Sequence, residues 1–463
     1  MSRVTSTTGQ SRRRFLKQTT AVAAGAAGAA LWTKPAWVGA AGANEQRINL
    51  GFIGPGGQGM NLLQSFVQLP GVEVTWLCDI DDYRMADAYN HVKGVKGTSF
   101  TAPKQTKDLR KLLDDKSIDA VVVATPDHWH APATIMACEA GKHVYVEKPA
   151  SHNIREGRLM IEAARRNKRV VQVGTQSRSV PYLLEAMQML RDGAIGEVLI
   201  SKAWNSQRRG DIGRRQPTEP PPNVGKDGYD TWVGPAPFVP FQGNRFHGVW
   251  RWWYAFGTGD IGNDGVHDID IARWGLGVDT HPDAVSAMGG KLFFDNDQEF
   301  PDTQYVVYQY NSGGGAKKQK QLIYEQRLWS PYVQEGYENG NAFYGTKGQL
   351  VVGKKHGWRL YEGDDRQPKK SNDSADSRLE STPHHRDFLQ CVRSGDGEGK
   401  RPAADIEIGH LSSSLSHLGN IAARIGHTIK FDPKAEKVVG DEEANRLVSR
   451  EYRQGHWSVP KGV

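Results

Sequence analysis

Three segments of this 463-residue chain carry side chains whose types and spacing suit chemistry. Glu147-Lys148-Pro149 closes the apolar run His143-Val144-Tyr145-Val146. An ammonium held partly out of water gives up its proton more readily, so Lys148 can act as an acid–base group or polarise an oxygen. Asn263-Asp264-Gly265-Val266-His267 opens a stretch that Ile269, Ala272 and Trp274 mark as helical. On a helix Asn263 and His267, four apart, share a face. Asp264 and Asp270 each stand three positions from His267 and could orient its ring. The third segment, Gly54-Pro55-Gly56-Gly57-Gln58-Gly59, has the spacing GxGxxG. Gly54 permits a tight turn, Gly56 lets the backbone approach a pyrophosphate, and Gly59 lets helix pack on strand. The N–H groups of that helix start then face the phosphates, with Gly57 and Gln58 completing the loop.

These residues need elements to place them. Ile48 to Ile53 reads as a short strand, Met60 to Leu69 as a helix, and Val72 to Cys78 as a second strand ending in Asp79. An acid there accepts hydrogen bonds from the adenosine ribose and repels a 2′-phosphate, so NAD is expected rather than NADP. Asp81, two residues on, offers the same chemistry. Asp108 to Asp114, Pro132 to Ala140 and Ile154 to Arg166 read as helices; Ala120 to Ala124, His143 to Val146 and Val170 to Val173 read as strands. Strand–helix alternation with near-continuous apolar strands predicts a doubly wound parallel sheet, with ligands outside the strands' carboxyl ends. Thr125-Pro126-Asp127-His128-Trp129-His130 and Glu147-Lys148-Pro149 fall there.

From Glu197 the period changes to two. Glu197 to Trp204, Val285 to Phe294, Thr303 to Tyr310, Lys320 to Trp329 and Gln349 to Val352 read as antiparallel strands with one exposed face. Residues 205–228 read as a long loop, a lid or rim. Gly313-Gly314-Gly315 reads as a hairpin turn, Asp364 to Asp376 as a polar segment, and Pro383 to Arg393 and Ile406 to Arg424 as helices. Arg446 to Pro460 is an aromatic tail without a legible motif. The expected fold is α/β: a Rossmann-type, NAD-binding parallel sheet over 44–175 and an α+β domain over 176–463 for substrate and assembly.

The first 43 residues have their own logic. Ser11-Arg12-Arg13-Arg14-Phe15-Leu16-Lys17, a small-residue run from Ala21 to Trp32, and Ala41-Gly42-Ala43 read as a twin-arginine secretory signal. A membrane anchor is the weaker reading, since a short run rich in alanine and broken by glycine spans a bilayer poorly. Export of a folded protein by the Tat machinery, to the periplasm, is expected. The segment holds six bases and no acid, so its removal takes the net charge from +7 to +1, with 53 bases against 52 acids. A nucleic-acid partner thereby loses its support. Cys78, Cys138 and Cys391 give neither a disulfide framework nor metal spacing.

The series GxGxxG, Asp79, Thr125-Pro126-x-His128-x-His130 and Glu147-Lys148-Pro149 resembles the Gfo/Idh/MocA oxidoreductases, which include glucose–fructose oxidoreductase and inositol dehydrogenase. Tyr229-Asp230-Thr231-Trp232-Val233-Gly234-Pro235-Ala236, Tyr344-Gly345-Thr346-Lys347-Gly348 and Gly419-Asn420-Ile421-Ala422 resemble that family's exported, carbohydrate-associated members. The resemblance implies that Lys148 is the catalytic lysine and that Glu147 and Pro149, after a cis peptide, shape the nicotinamide pocket with Thr125, Pro126 and His130. It implies that Gln176 and Arg178 face cofactor and substrate, and that His267 is the site histidine. The family's usual aspartate four residues before that histidine is Asn263 here. An amide fixes a tautomer but stabilises imidazolium less than a carboxylate does, which leaves Asp264 to take over or Lys148 to carry more of the proton transfer.

Trp250, Trp252 and Trp253 around Arg251 suit stacking on a sugar ring, with arginine reaching hydroxyls or a carboxylate; they equally suit a core or interface cluster. His128 and His130 lack nearby acid ligands, so no metal is expected. The family's open sheet implies a homo-oligomer, dimer or tetramer. The expected function is hydride transfer between a sugar or polyol and a tightly bound NAD. One alternative is NAD-dependent glycoside hydrolysis through transient oxidation and elimination of the aglycone. Another is non-catalytic sugar binding.

Overall fold

The buried runs Leu50, Phe52, Ile53 and Val121 to Val123 place two strands side by side at the centre of a sheet. The computed structural model describes residues 46–311, 319–355, 357–373, 381–395 and 399–463. The signal segment, Gly313-Gly314-Gly315 and the end of the polar segment at 374–376 lie outside the described residues.

The first sheet is wholly parallel. Its strands are β1 (Ile48–Ile53), β2 (Val72–Cys78), β3 (Lys104–Thr106), β4 (Ala120–Val123), β5 (His143–Val146) and β6 (Val171–Val173), in the order β3-β2-β1-β4-β5-β6. The reversal between β1 and β4 is the switch point at which α/β sheets bind ligands. Helices α1 (Gln58–Phe66), α2 (Asp82–Lys96), α3 (Leu109–Leu113), α4 (His130–Glu139) and α5 (Ile154–Arg166) make the crossovers. Helix α1 starts two residues earlier than its apolar pattern suggests, because Gly57 at φ 53° turns the chain directly into it. Helix α2 went unread because its apolar face is narrow; Asp81 caps it through the amides of Tyr83 and Arg84.

Helices α6 (Pro181–Arg191), α7 (Gly225–Val233) and α8 (Val266–Leu276) lead into and through the second half. Among the described residues its sheet has ten strands: β7 (Val198–Ser206), β8 (Ala284–Gly290), β9 (Thr303–Asn311), β10 (Gln319–Arg327), β11 (Asn339–Gly345), β12 (Gly348–Gly353), β13 (Trp358–Glu362), β14 (Lys370–Ser371), β15 (Ile429–Asp432) and β16 (Lys437–Val438). All neighbours are antiparallel except β7 and β10. The long loop is shorter than expected, lying between Ser206 and Gly225. The strand expected over Val285 to Phe294 stops at Gly290. There the amides of Leu292, Phe293 and Phe294 turn away to the Asp302 carboxylate (3.1, 2.9 and 3.0 Å). Helices α9 (Thr382–Arg393), α10 (Ile406–Ile425) and α11 (Glu442–Arg446) complete the chain. Leu415 and Leu418 of α10 and Ile269 and Ala272 of α8 form one core with Val306, Tyr308, Leu322 and Phe343 of the sheet.

Candidate active site

The carboxyl ends of β1, β2, β4 and β5 open onto a cavity of about 290 Å³. Gly54, Gly56, Gly57 and Gln58 line the side beneath β1. A Cβ at Gly59 would stand 2.0 Å from Gly54 O, so only glycine lets α1 seat on the loop. At Gly57 a Cβ would meet nothing, leaving the start of α1 open to a ligand. Asp79 lines the cavity, whereas Asp81 is taken by its capping bonds and by His247 Nε2 (2.8 Å). Of the two acids, Asp79 is the one whose carboxylate is left facing the cavity. Burial pushes its pKa up to about 6 against the Asp81 amide and Arg84. An open helix start, a flat glycine loop and a carboxylate beyond β2 fit a dinucleotide.

Strand β5 delivers Glu147 and Lys148 ahead of a cis peptide to Pro149. Lys148 Nζ donates to Asn263 O at 2.6 Å. Burial lowers its pKa, with Arg251 adding to the effect and Glu147, Asp264 and Asp127 opposing it. Glu147 is buried and its pKa is raised by that burial. Gln58 Nε2 (3.2 Å) and Gln176 Nε2 (3.4 Å) donate to it, so Gln176 reaches the cavity only through Glu147. His130 Nδ1 lies 2.7 Å from Pro149 O and its Nε2 2.9 Å from Thr125 O, and burial pushes its pKa down to about 4. A neutral ring carries one N–H, so it donates to one of these carbonyls and only abuts the other.

Sequence reasoning missed Asp127. It is fully buried, accepts from Thr258 Oγ1 (2.7 Å), and lines the cavity beside Lys148. Burial lifts its pKa to about 7 against Lys148 and Arg251. The signal was present: an acid at the end of β4, inside a cluster already singled out. An ionisation near neutrality within the electrostatic reach of the candidate acid–base lysine should appear in the rate. A limb in kcat/KM near pH 7 is expected, and Asp127→Asn should remove it while leaving bound nucleotide unchanged.

The histidine segment differs from expectation. Residues Ile261–Gly265 form a π-helical turn before α8, and the wider turn breaks the four-residue register. Asn263 and His267, both described, share no hydrogen bond; Asn263 Nδ2 donates to Asp260 Oδ1 (3.0 Å). An amide suits this position because a carboxylate would face the buried Asp260. Asp264 does not hold the ring either: it accepts from Lys354 Nζ (2.8 Å), Gln207 (2.9 Å) and Asn205 (3.2 Å). Burial raises its pKa, but Lys354, His267 and Arg209 outweigh that and hold it well below the usual carboxylate range. His267 is buried and its pKa lies well below the usual histidine value, through burial first and then Lys354 and Lys148. It is a neutral imidazole behind the cavity wall, within the field of Lys148.

Two substrate-facing expectations are corrected. Arg178 is locked in a buried fork on Asp270 (2.8 Å), which also accepts from Ser412 Oγ (2.6 Å). Neither Arg178 nor Asp270 is free for ligand or for His267. Trp252 is buried in an aromatic core with Trp232, Phe246 and Phe256. Trp253 joins that core and donates to Asn244 O (3.0 Å). Trp250 and Arg251 do line the cavity, so the cluster divides between core and site. Arg251 makes no hydrogen bond or ion pair among the described residues, and its Nε is buried without a partner. Trp457, from the tail without a motif, also lines the cavity.

One trio among the described residues has metal-ligand chemistry: His281, His410 and Glu436. Both His Nε2 atoms lie on Glu436 Oε1 (2.9 and 2.8 Å), and Arg158 pairs with the same carboxylate (2.5 Å). The guanidinium already supplies the positive charge that an ion would bring. The trio does not line the cavity.

Residues 48–175 match the family model described as an oxidoreductase family, NAD-binding Rossmann fold. Residues 203–315 and 352–459 match the one described as an oxidoreductase family, C-terminal alpha/beta domain. The chain is 30% identical over 208 residues to an alpha-N-acetylgalactosaminidase of Shewanella oneidensis, over 42% of this chain and 45% of that one. It is 31% identical over 159 residues to a glycosyl hydrolase family 109 protein of Shewanella pealeana, over 34% of each. The match thus spans less than half the length of these curated relatives.

Among solved structures, an aldose-aldose oxidoreductase from Caulobacter crescentus complexed with glycerol superposes with a TM-score of 0.61 at 19% identity, over 83% of this chain and 100% of that one. A levoglucosan dehydrogenase in complex with NADH and levoglucosan gives 0.63 at 19% identity, over 83% and 99%. The WlbA dehydrogenase from Bordetella pertussis with NADH and UDP-GlcNAcA gives 0.61 at 19%, over 84% and 98%. At this identity the likeness is one of fold.

Proposed function

We propose that this chain, which belongs to the Gfo/Idh/MocA oxidoreductase family, acts on a hydroxyl group of a sugar or polyol with a tightly held NAD. The observation that carries the reading is Lys148, half-buried at the cavity end opposite Asp79 and within the field of Asp127 and Arg251. Gly54, Gly56, Gly57 and Gln58 would hold the pyrophosphate and Asp79 the ribose; Glu147 and His130 set the floor beside Lys148. When bound, NAD supplies a hydride acceptor and, once reduced, a donor. Lys148 Nζ takes or returns the hydroxyl proton, Asp127 tunes that exchange by its own charge, and Arg251 holds a substrate oxygen. His267, kept neutral, can accept a proton but starts without charge.

The curated relatives favour a second reading at the same site. An alpha-N-acetylgalactosaminidase among them supports net hydrolysis through transient oxidation. The twin-arginine segment supports export in the folded state, to a periplasm without fresh NAD. Either chemistry would then close its redox cycle on one captive cofactor, with a second carbonyl substrate or with the same sugar. Met288, Tyr305 and Leu199, 78%, 45% and 38% exposed, lie on strands of the second sheet and support a homo-oligomer. A non-catalytic sugar binder would have no use for a desolvated lysine in the cavity.

The test starts from the purified exported form. Denaturation should release nucleotide, and no released nucleotide would count against the captive cofactor. Free sugars that reduce the bound NAD would support the dehydrogenase; aryl glycosides that lose their aglycone without added NAD would support the glycosidase. Neither reaction across a broad panel would leave the binder. Arg251→Ala should raise KM about tenfold or more, the effect of losing a charge-assisted hydrogen bond of about 1.5–3 kcal/mol, with retained NAD unchanged.

A further inference from the structure

The last fifteen residues do not trail into solvent; they cross the cleft. Arg450 Nη2 donates to Glu156 Oε1 (2.5 Å) and to His128 O (2.9 Å), and the Tyr452 hydroxyl donates to the same Glu156 oxygen (3.0 Å). Glu156 is fully buried on α5. The Arg453 amide donates to Pro235 O (2.9 Å), and its guanidinium pairs with Asp230 of α7 (2.7 Å). At the far end Arg155 Nε and Nη2 donate to Gly462 O (3.0 and 2.8 Å). The segment is therefore fastened on both sides of one residue, Trp457.

Trp457 is held as firmly as its flanks. Its ring lies on Trp129 (centroids 5.5 Å apart), and the Arg110 guanidinium sits over it at 4.2 Å. With Asp79, Lys107 and Leu109 it forms part of the cavity wall. In the sheet order β3-β2-β1-β4-β5, Asp79 follows β2 and Lys107 follows β3, whereas Lys148 follows β5. The indole thus sits between Arg110, which follows β3, and Trp129, which follows β4, in the wall that Asp79 shares. His456 is a further ring neighbour (centroids 5.3 Å), and the indole still remains 37% exposed.

We propose that Trp457 is a cofactor-binding residue, and that the tail is a strap which retains NAD by closing over its adenosine half. The inference rests on the reading of the cleft as an NAD site. Aromatic contact with a base slows its departure, and a strap pinned at Glu156, Asp230 and Arg155 cannot swing away without breaking the buried Arg450–Glu156 pair and the part-exposed bonds at Asp230 and Arg155. Retention then comes from the last residues of the chain, far in sequence from the glycine loop.

Trp457→Ala and, independently, Arg453→Ala in the full-length protein test this. Arg453→Ala loosens one fastening of the strap without removing a cavity group. Loaded with NAD and chased with unlabelled NAD, Trp457→Ala should release nucleotide about ten- to a hundredfold faster than the parent, the effect of losing about one base–aromatic contact, and Arg453→Ala, which loses one part-exposed ion pair, about two- to fivefold faster. Trp457→Phe should restore most of the retention. Trp457→Ala should weaken ADP-ribose while leaving nicotinamide mononucleotide unaffected, a contrast that a general loss of fold would not produce. Release at the parental rate in both variants overturns the strap. A parent that binds no NAD at all is a different result, and overturns the cofactor reading itself.

Discussion

Lys148→Ala is expected to lower turnover by about 10²–10⁴-fold, the usual cost of removing a positioned acid–base group. The side chain sits against Asn263 O at 2.6 Å, an acceptor that fixes its direction without neutralising it. Burial lowers its pKa, so the free amine becomes accessible below the usual lysine range. In the oxidising direction, where the free amine takes the hydroxyl proton, the ascending limb of kcat should accordingly lie at lower pH than an ordinary lysine would give. Lys148→Arg separates charge from proton transfer: it keeps the positive charge but does not deprotonate. If Lys148 moves a proton, arginine should be nearly as inactive as alanine. If it merely polarises an oxygen, arginine should keep a substantial fraction of turnover. Both variants should be compared at equal bound nucleotide, because Glu147 and Pro149 next door help shape the cofactor floor. Undiminished turnover in Lys148→Ala would remove the assignment.

The parallel half was legible because its signals are local. Val72–Cys78, His143–Val146 and Ile154–Arg166 were bounded correctly, each being a periodic or continuous apolar run between clear breaks. The same locality made the placement of the glycine loop, Asp79 and Lys148 readable, since each follows directly on a strand. Strand β11 was invisible for the opposite reason: Asn339-Gly340-Asn341 reads as a turn. A Cβ at Gly340 would stand 2.7 Å from Val352 O and 2.9 Å from the Trp204 ring, so close packing demands the glycine that disguises the strand.

The site's errors have one physical source. Arg178 meets Asp270 across 92 residues, Lys354 meets Asp264 across 90, and Arg450 meets Glu156 across 294. No spacing rule reports such pairs. An arginine expected to reach for substrate is indistinguishable in sequence from one neutralised by a distant aspartate. The π-turn at Ile261–Gly265 adds a local error, because a helical register was assumed through the one place where it widens. Trp457 combines both difficulties: it lies in an irregular segment and acts on residues more than 300 positions earlier.

Lys354→Met should have the largest effect on stability, a loss of about 3–5 kcal/mol, because it leaves the buried Asp268 carboxylate without its cation. Lys354 Nζ lies 2.8 Å from Asp264 and 3.5 Å from Asp268. Asp264 keeps Arg209, Gln207 and Asn205. Asp268 keeps nothing comparable: it is fully buried, and its Oδ1 has no hydrogen-bond partner. The loss should therefore depend on pH in a definite direction. Burial has already raised the Asp268 pKa to about 7 in the parent, with Lys354 pulling it down. A carboxyl whose folded pKa is raised favours the native state at low pH, and that advantage is lost as pH climbs to the folded value. In the parent this loss ends near pH 7. Without Lys354 the folded pKa rises further, so the loss continues above pH 7 at up to about 1.4 kcal/mol per pH unit. Denaturant unfolding of parent and variant from mildly acidic to mildly alkaline buffer should show a gap that widens upward. Lys354→Met with Asp268→Asn should close most of that widening, since no buried charge is then left at position 268. A gap of constant size across the range would mean that Lys354 acts through packing alone. Because Lys354 also helps to hold the His267 pKa down, its removal should shift the acid limb of activity to higher pH, a change that packing would not produce.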